Sequence, residues 1–289
     1  YPGTAGVPKL VLFNNDTLAV NIVNDTIFFQ EDIVLNNDQV QVLDESKGAS
    51  IPANMYSSSF VNYWPDNTIY YKIDASLSGD KRIPQAIQHY EENTALRFVN
   101  IGNATNIPYY VVFKKDASSC WSNLGRQTLS NQPNIIALAD WGTVGNTIHE
   151  IGHTAGLIHE QTRPDRDKYI IIKWDNIIDK LEYNFQILKT AITKGTFDFN
   201  SIMIYASYTN SSMAVDPNKP IITKLDGSVY SRLQVLSDGD IAILDLLYPP
   251  KTPTLTTTSV TDITLNSATT GGNVTSDGGT EVTSRGVCW

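Results

Sequence analysis

Cysteine and histidine are both scarce in this chain of 289 residues. The two cysteines, Cys120 and Cys288, cannot form a framework of several disulfides. The hydrophobic fraction of 41% is sufficient for an apolar core that stabilises the fold instead. No long apolar run occurs, and we therefore expect no membrane-spanning segment. Only four histidines are present, which makes a local cluster of them informative.

Basic side chains are also in deficit. The chain has 21 Lys and Arg residues against 30 Asp and Glu residues, which gives a net charge of −9. Nucleic-acid binding requires a basic surface that faces phosphates, so this balance argues against a nucleic-acid partner. An acidic, hydrated surface is the simpler interpretation.

The first residues lack a secretion signal. Tyr1-Pro2-Gly3 contains neither a basic region nor an apolar stretch, so either a signal peptide has been removed or the protein is cytosolic. The composition is rich in Asn, Thr and Ser, which favours export. We therefore expect a secreted, extracellular protein.

Hydrophobic periodicity predicts a central region of helices and strands, with a strand-rich segment before it and a linker after it. Residues 9–43 predict short strands, and residues 45–59 are polar and small, which is typical of an exposed joint that a protease could cut. Residues 56–248 combine strand and helix patterns, and the prolines from Pro249 onward indicate a stiff linker. Strands are expected at 69–73, 110–113 and 135–138, and helices at 83–90, at 177–188 and after the capping box of Ser237 and Asp240.

The strongest chemical signal is a pair of histidines. Residues 149–153 read His-Glu-Ile-Gly-His and match the pattern H-E-x-x-H, in which residues four apart share one helix face. His149 and His153 can therefore bind one metal ion, with Glu150 beside them as general base for a metal-activated water. This short pattern also occurs by chance on ordinary helices, so it is not sufficient by itself.

The residues that follow supply a third ligand. Gly156 is suited to end the helix in a left-handed conformation, after which His159 can turn back toward the pair. This longer pattern is the metzincin signature. The alternative is that three of the four histidines cluster by accident. Three protein ligands leave one position of Zn²⁺ open for water, which is typical of a catalytic site.

The residues after the third histidine resemble the astacin family. Residues 159–167 match its pattern H-E-x-x-R-x-D-R-D, and residues 201–205, Ser-Ile-Met-Ile-Tyr, resemble its Met-turn, S-x-M-x-Y. The resemblance covers residues 56–248. It implies an α+β, two-lobed, metzincin-like catalytic domain with an active-site helix. The activity implied is hydrolysis of internal peptide bonds in protein or peptide substrates.

The resemblance also implies roles for the matching residues. The zinc ligands would be His149, His153 and His159. Glu150 would be the general base, and Tyr205 would be a further zinc ligand that swings away and donates a hydrogen bond to the oxyanion. Met203 would pack beneath the metal as an apolar floor, and Glu160 would meet the new amino terminus, through water, after activation.

Several of these residues have simpler interpretations. Tyr205 could be a buried tyrosine with a satisfied hydroxyl group, and the charged residues of 163–167 could be a solvated run rather than the ion-pair network that we favour. Cys120 matches the family's Cys-Trp motif, but Trp141 stands where its disulfide partner is expected, which predicts a free buried thiol. The fourth histidine, His89, is expected to face water.

Residues 29–33 resemble the family's inhibitory propeptide motif, F-x-G-D. The resemblance implies that Asp32 binds zinc where the catalytic water would sit, until an activating protease removes the segment. Glu31 stands where glycine is usual, so Glu31 could contribute instead. The alternative is an exposed acidic turn between two strands. Cleavage between residues 46 and 56 is expected to start proteolysis.

Three segments are therefore expected: a propeptide at 1–50, a zinc metalloprotease catalytic domain at 51–249, and a linker with an incomplete β-sandwich module at 250–289. The upper lobe is expected to be mainly antiparallel, with an edge strand that aligns the substrate. Lys224 or Arg232 could favour acidic substrate side chains. Two rivals remain, an inactive adhesin-like binding protein, against which Glu150 argues, and a cytosolic or toxin-like metalloprotease.

Overall fold

The computed structural model describes residues 6–13, 16–36, 39–42, 61–127, 132–278 and 282–288. The helices are α1 (Arg82–Asn93), α2 (Val144–Thr154) and α3 (Asp238–Leu247). The strands of the N-terminal segment are β1 (Val7–Phe13), β2 (Asp16–Val23), β3 (Thr26–Phe29), β4 (Ile33–Leu35) and β5 (Gln41–Val42). The later strands are β6 (Thr68–Ile73), β7 (Arg97–Asn100), β8 (Val111–Lys115), β9 (Trp121–Asn123), β10 (Asn134–Leu138), β11 (Ile170–Ile172), β12 (Ile222–Lys224), β13 (Thr254–Thr261) and β14 (Thr269–Ser276).

One sheet of ten strands connects the N-terminal segment to the strands that follow residue 61. Its order is β5-β1-β2-β3-β4-β9-β10-β8-β6-β7. The alternation of Leu18, Val20 and Ile22 predicted short strands here, and these strands pair antiparallel with each other. β4 then pairs parallel with β9, with Ile33 opposite Ser122. The N-terminal segment therefore covers β9, which would otherwise be an edge strand.

The expectation of a mainly antiparallel upper lobe is wrong. β10, β8, β6 and β7 pair parallel, and only β9 runs antiparallel to its neighbour β10. The physical reason is the connection: α1 lies between β6 and β7 in the chain, and a helical crossover returns the chain in the same direction. The predicted strands and the first helix are confirmed.

The upper-lobe core lies between this sheet and the three helices. Tyr90 of α1 is fully buried and donates a hydrogen bond from its hydroxyl group to the carbonyl oxygen of Ile148 in α2, at 2.9 Å. Trp64 donates its indole N–H to the carbonyl oxygen of Thr154, at 2.9 Å. These bonds hold the middle and the C-terminal end of the helix that carries the histidine pair. His89, expected to face water, is half-buried, and its Nε2 accepts a hydrogen bond from the backbone N–H of Leu236.

The lower lobe has its own core, but not the helix expected at 177–188. Short 3-10 helices at Trp174–Asn176 and Asp179–Phe185 replace it. The apolar residues are buried as predicted, but the backbone has other partners, because Ile177 forms a β-bridge with Ala214 and Ile178 donates its N–H to the carbonyl oxygen of Met213. This pairing holds the start of the segment in an extended conformation in place of a helical first turn.

The C-terminal residues form a separate hairpin of β13 and β14. Every residue of β13 is exposed, so this hairpin contributes nothing to the two cores. The described residues contain no helix that is both long and apolar enough to traverse a lipid bilayer.

Candidate metal centre and substrate cleft

The local sequence explains why α2 starts where it does. Thr143 is its N-cap, and the side chains of Thr143 and Asn146 form a reciprocal capping box. The helix ends at Thr154, and Gly156 adopts the left-handed conformation expected of it, with φ of 101°. The chain then reverses and brings His159 back to the helix.

The three histidines converge as predicted. The Nε2 atom of His149 lies 3.1 Å from Nε2 of His153 and 3.3 Å from Nε2 of His159. All three side chains are buried, with 0–1% of their surface exposed. Three imidazole nitrogens in one small volume can bind a single cation.

Backbone carbonyl groups orient two of these rings. Nδ1 of His149 lies 2.8 Å from the carbonyl oxygen of Ile202, and Nδ1 of His153 lies 2.8 Å from that of Leu157. A carbonyl oxygen only accepts, so each Nδ1 carries the proton and each Nε2 presents a lone pair. Burial lowers the pKa of His149 to about 4, and it also lowers that of His153, so both rings are neutral at neutral pH.

Asp32 completes the cluster. Its Oδ2 lies 3.3 Å from Nε2 of both His149 and His159, and its Oδ1 lies 3.9 Å from Nε2 of His153. The four ligand atoms all lie within 4.8 Å of one another. The alternative of an exposed acidic turn is therefore wrong.

The chemistry of these groups fits Zn²⁺. Neutral imidazole nitrogens and a carboxylate oxygen are ligands that zinc binds in proteins. Among the described residues, Oδ1 of Asp32 and Oε2 of Glu150 are buried and have no hydrogen-bond partner. Buried carboxylate oxygens without partners are costly, and a cation between them and the imidazoles would remove that cost.

Glu150 faces the same cavity as Asp32 and His149. It is 2% exposed, and burial, reinforced by the charge of Asp32, raises the pKa of its carboxyl group well above the usual range. Arg232 opposes this rise electrostatically. A buried carboxyl group of this kind can accept and return a proton.

The Met-turn lies under the cluster. Met203 is 2% exposed, and a Cβ atom added at Gly152 of α2 would lie 2.7 Å from its Sδ. The turn is held by Asp240 of α3, whose carboxylate accepts hydrogen bonds from the Ser201 hydroxyl group and the Ile202 backbone N–H. The sequence indicated the capping box of Asp240, but it did not indicate the hydrogen bonds of Asp240 to the Met-turn.

Tyr205 lies beside the third histidine. Its ring packs against that of His159, with centroids 4.7 Å apart, and its hydroxyl group donates a hydrogen bond to the carbonyl oxygen of Gln30, at 3.0 Å. Gln30 was not singled out in the sequence, yet its Oε1 also lies 2.8 Å from Nδ1 of His159. No pattern in the sequence indicates these two contacts, since they join residues more than a hundred positions apart.

Glu31 is buried next to Asp32. It adopts a positive φ of 68°, which explains why glycine is usual at this position of the motif. Burial raises the pKa of Glu31 to about 8. It does not belong to the cluster of four ligand groups, so Asp32, not Glu31, faces the histidines.

The charged run at 163–167 forms the expected network, in which Arg163 pairs with Glu160 and Asp165 at 3.1 and 3.0 Å. Arg166 is 4% exposed and donates to the carbonyl oxygens of Gln161 and Phe185. These arginines connect the segment after His159 to the lower lobe. The solvated alternative is therefore wrong.

Glu160 borders a cavity of about 160 Å³ on the far side of the Met-turn. Its Oε1 accepts hydrogen bonds from Arg163 and from the backbone N–H of Asp198, at 3.1 and 2.8 Å. Burial raises the pKa of Glu160 to about 7. Asp198 and Asp240 line the same cavity, together with the basic residues Arg163 and Lys194.

A second cavity, of about 430 Å³, adjoins the cluster at Asp32, His149 and Glu150. Its lining includes Arg232, whereas Lys224 lies over the ring of Phe199, with Nζ 4.6 Å from the ring centroid.

Cys120 is a free, buried thiol as predicted, and burial raises the pKa of that thiol to about 12. Trp141 lines the cavity in place of a cysteine.

Comparisons with known proteins agree with this geometry. The model of the peptidase family Astacin matches residues 57–249. Flavastacin from Elizabethkingia meningoseptica is 33% identical over 298 aligned positions, which cover 91% of this chain and 65% of flavastacin. Astacin-like metalloprotease toxin 2 from Loxosceles intermedia is 34% identical over 195 positions, 64% of this chain and 73% of the toxin.

The solved structures include a similar fold. High choriolytic enzyme 1, a hatching enzyme zinc-protease from Oryzias latipes, superposes with a TM-score of 0.57 at 28% identity, over 65% of this chain and 93% of that one. The chain spans less than two thirds of some relatives, 65% of flavastacin and 37% of the protein SpAN of Strongylocentrotus purpuratus.

Proposed function

Because this chain belongs to the astacin family of zinc metalloendopeptidases, we propose that it hydrolyses internal peptide bonds of protein substrates, with Glu150 as the general base. The observation that carries the proposal is the convergence of three buried Nε2 atoms beside a buried carboxyl group without a hydrogen-bond partner. His149, His153 and His159 would hold the zinc ion. When bound, zinc acts as a Lewis acid that polarises the scissile carbonyl group and makes water a stronger acid.

The residues of the chain supply the proton transfers. Oε2 of Glu150 would accept a proton from the attacking water and return it to the leaving amine nitrogen. The hydroxyl group of Tyr205, which donates to the carbonyl oxygen of Gln30 in this state, would donate to the substrate carbonyl oxygen once the N-terminal segment has left. This contact supports the swung-out position of the tyrosine.

The edge strand β9 would align the substrate. Its backbone already pairs with an extended chain, since Ser122 and Leu124 donate their N–H groups to the carbonyl oxygens of Asp32 and Val34, at 2.8 and 3.1 Å. A substrate would use the same donors after activation. Main-chain pairing of this kind binds an extended peptide independently of its side chains.

Replacement of Glu150 by Gln tests the proposal. We expect a fall of about 100-fold to 10,000-fold in kcat/KM for a protein substrate, because general base catalysis is lost. Zinc content, measured by atomic absorption, should stay at the wild-type value because the ligands are retained. An inactive, adhesin-like protein would show no proteolysis before or after the replacement, and full activity of the variant would refute the role of Glu150.

Latency is proposed for the intact chain. Asp32 faces the three histidines, and the N-terminal segment covers β9, so both the metal and the substrate groove are blocked. Activation would require a protease that cuts between residues 46 and 56, which lie outside the described residues. The proposed segments are then the propeptide 1–50, the catalytic domain 51–249 and the linker with an incomplete β-module 250–289.

Activation is proposed to involve Glu160. Three carboxyl groups, those of Glu160, Asp198 and Asp240, line the cavity against two cations, Arg163 and Lys194, and the carboxyl groups would meet the ammonium group of a new amino terminus through water. We also propose secretion, which the Asn-, Thr- and Ser-rich composition favours, and one relative is named as a toxin. Detection of the processed chain in culture medium would distinguish secretion from a cytosolic location.

Arg232 supports a preference for acidic substrate side chains. Arg232 lines the cleft together with Glu150, and Nη1 of its guanidinium group lies 3.4 Å from Nδ1 of His149. Replacement of Arg232 by Gln should lower kcat/KM about 10-fold for peptides with Asp beside the scissile bond, because a charge-assisted hydrogen bond is lost. Peptides with Ala there should change less than about twofold. An equal loss for both peptides would contradict this preference.

A further inference from the structure

The cleft contains an unusual concentration of exposed aromatic surface. Among the described residues, only Trp141, Trp174 and Tyr208 are aromatic and strongly exposed, at 58%, 43% and 47%. Two of them, Trp141 and Tyr208, line the cavity of about 430 Å³ that also contains Glu150. Exposed aromatic rings beside a reaction centre are typical of a binding surface.

The indole of Trp141 is fixed rather than loose. Its Nε1 donates a hydrogen bond to the carbonyl oxygen of Ser118, at 2.9 Å. A side chain held in one rotamer loses less entropy when it contacts a ligand. The exposed indole is therefore preorganised to contact a ligand.

The turn that carries Trp141 is fixed as well. Arg82 donates from one guanidinium nitrogen to the carbonyl oxygens of Ala139 and Gly142, at 2.6 and 2.8 Å, and Asp80 holds the other side of the guanidinium group. The Sγ atom of Cys120 accepts a hydrogen bond from the N–H of Ala139, at 3.4 Å. These hydrogen bonds hold the turn without a disulfide, so residue 141 does not have to be a cysteine.

The inhibitory segment leaves this part of the cleft open. Glu31 and Asp32 line the cavity, and about 430 Å³ remains open with both of them in place, lined also by Trp141 and Tyr208. A substrate paired along β9 in place of that segment would place a side chain within reach of this space. Because the aromatic surface is continuous with the catalytic cavity, its occupant is a substrate residue.

We propose that Trp141, together with Tyr208, forms a substrate subsite that selects a large apolar or aromatic side chain near the scissile bond. The inference rests on the proposed peptidase function. Burial of such a side chain against a rigid indole gains free energy that a glycine cannot supply. Arg232 lines the same cavity, so the position at which an apolar side chain is selected is compared with the position at which Asp is preferred.

The test compares peptides in which Phe replaces Gly at one position at a time, from three residues before to three residues after the scissile bond. We expect Trp141→Ala in the processed enzyme to lower the Phe-to-Gly ratio of kcat/KM about 10-fold at one position, as loss of one apolar contact surface does. Trp141→Phe, which loses the bond to Ser118 but keeps an aromatic face, should retain most of the ratio. Trp174→Ala is the matched control, since it removes an exposed tryptophan outside the cavity and should leave the ratio unchanged.

A second measurement separates this inference from the proposed function. In the Glu150→Gln background, dissociation constants of the same peptides can be measured without cleavage, and Trp141→Ala should lower the Phe-to-Gly affinity ratio by a similar factor. If no position changes its ratio in either measurement, or if Trp174→Ala has the same effect, the subsite does not exist. If the wild-type enzyme cleaves none of the peptides, the proposed function fails, and the affinity ratios still decide about Trp141.

Discussion

At the scale of single residues, the inhibitory contact depends on backbone conformations that side chains disfavour. Gln30 and Glu31 both have positive φ, 54° and 68°. Each such residue costs about 1–2 kcal/mol, so the surrounding contacts must compensate. Tyr205 and His159 hold Gln30 through its carbonyl and side-chain oxygens, and this places the carboxylate of Asp32 against the histidines.

Replacement of Asp32 by Asn should weaken latency. The amide keeps the shape of the side chain but removes the charge that faces the histidines, and loss of a charged contact costs about 1.5–3 kcal/mol. Uncut Asp32→Asn protein should therefore cleave casein at least about 10-fold faster than uncut wild type. Asp25→Asn is the matched control because Asp25 is exposed in the turn between β2 and β3. If both uncut variants stay as latent as wild type, the carboxylate of Asp32 is not the inhibitor.

At the scale of elements, α2 and the Met-turn determine each other's positions. Nδ1 of His149 donates a hydrogen bond to the carbonyl oxygen of Ile202 in that turn, and Gly152, which has no side chain, leaves space for Met203. The sequence predicted the helix and its left-handed end because these depend on local capping and on glycine. It could not predict which residues of the turn contact which face of the helix, since those contacts span about fifty residues of chain.

Gly152→Ala tests this packing. Alanine normally stabilises a helix by about 1 kcal/mol relative to glycine, but here its Cβ would meet the Sδ of Met203 at 2.7 Å. We expect the crowding to outweigh the helix preference and to lower the free energy of unfolding by about 1–3 kcal/mol. Thermal unfolding measures this effect.

The double variant Gly152→Ala with Met203→Ala completes a double-mutant cycle for this contact. Removal of the methionine side chain removes the crowding, so Gly152→Ala should destabilise the Met203→Ala protein less than it destabilises wild type. Strictly additive effects would show that the side chains at positions 152 and 203 do not interact.

In the segment 177–188, the prediction of buried side chains and the prediction of backbone conformation had different outcomes. Its apolar spacing predicted a helix, and the burial of those side chains is confirmed, but the backbone forms 3-10 turns and a β-bridge. Hydrophobic spacing reports which side chains are buried. It does not report whether another segment offers the backbone a better partner.

At the scale of the whole molecule, the N-terminal segment is bound along a broad surface. Its strands share a core with Leu124 and Leu188 of the catalytic domain. Asp16 accepts hydrogen bonds from the backbone N–H and the hydroxyl group of Thr190, at 2.9 and 2.8 Å. Gln39 donates to the carbonyl oxygen of Leu124, at 3.0 Å. None of these contacts requires a covalent connection through residues 43–60.

A cut between residues 46 and 56 should therefore not release the segment at once. We expect the two pieces to elute together from a size-exclusion column, and proteolytic activity to appear later than the cut seen by mass spectrometry. Asp16→Asn, which weakens the contact with Thr190, should shorten this delay. Immediate separation of the pieces with full activity would show that the covalent link alone maintains latency.

The sequence by itself determined the histidine cluster, the C-terminal end of the helix that carries it and the family, because these depend on short spacings and local backbone preferences. The tertiary structure decided which carboxylate faces the histidines, which strand the N-terminal segment covers, and that Trp141 lines the cleft. Those features depend on contacts between residues far apart in the chain. Such contacts follow from packing of the whole molecule and leave no periodic signal in the sequence.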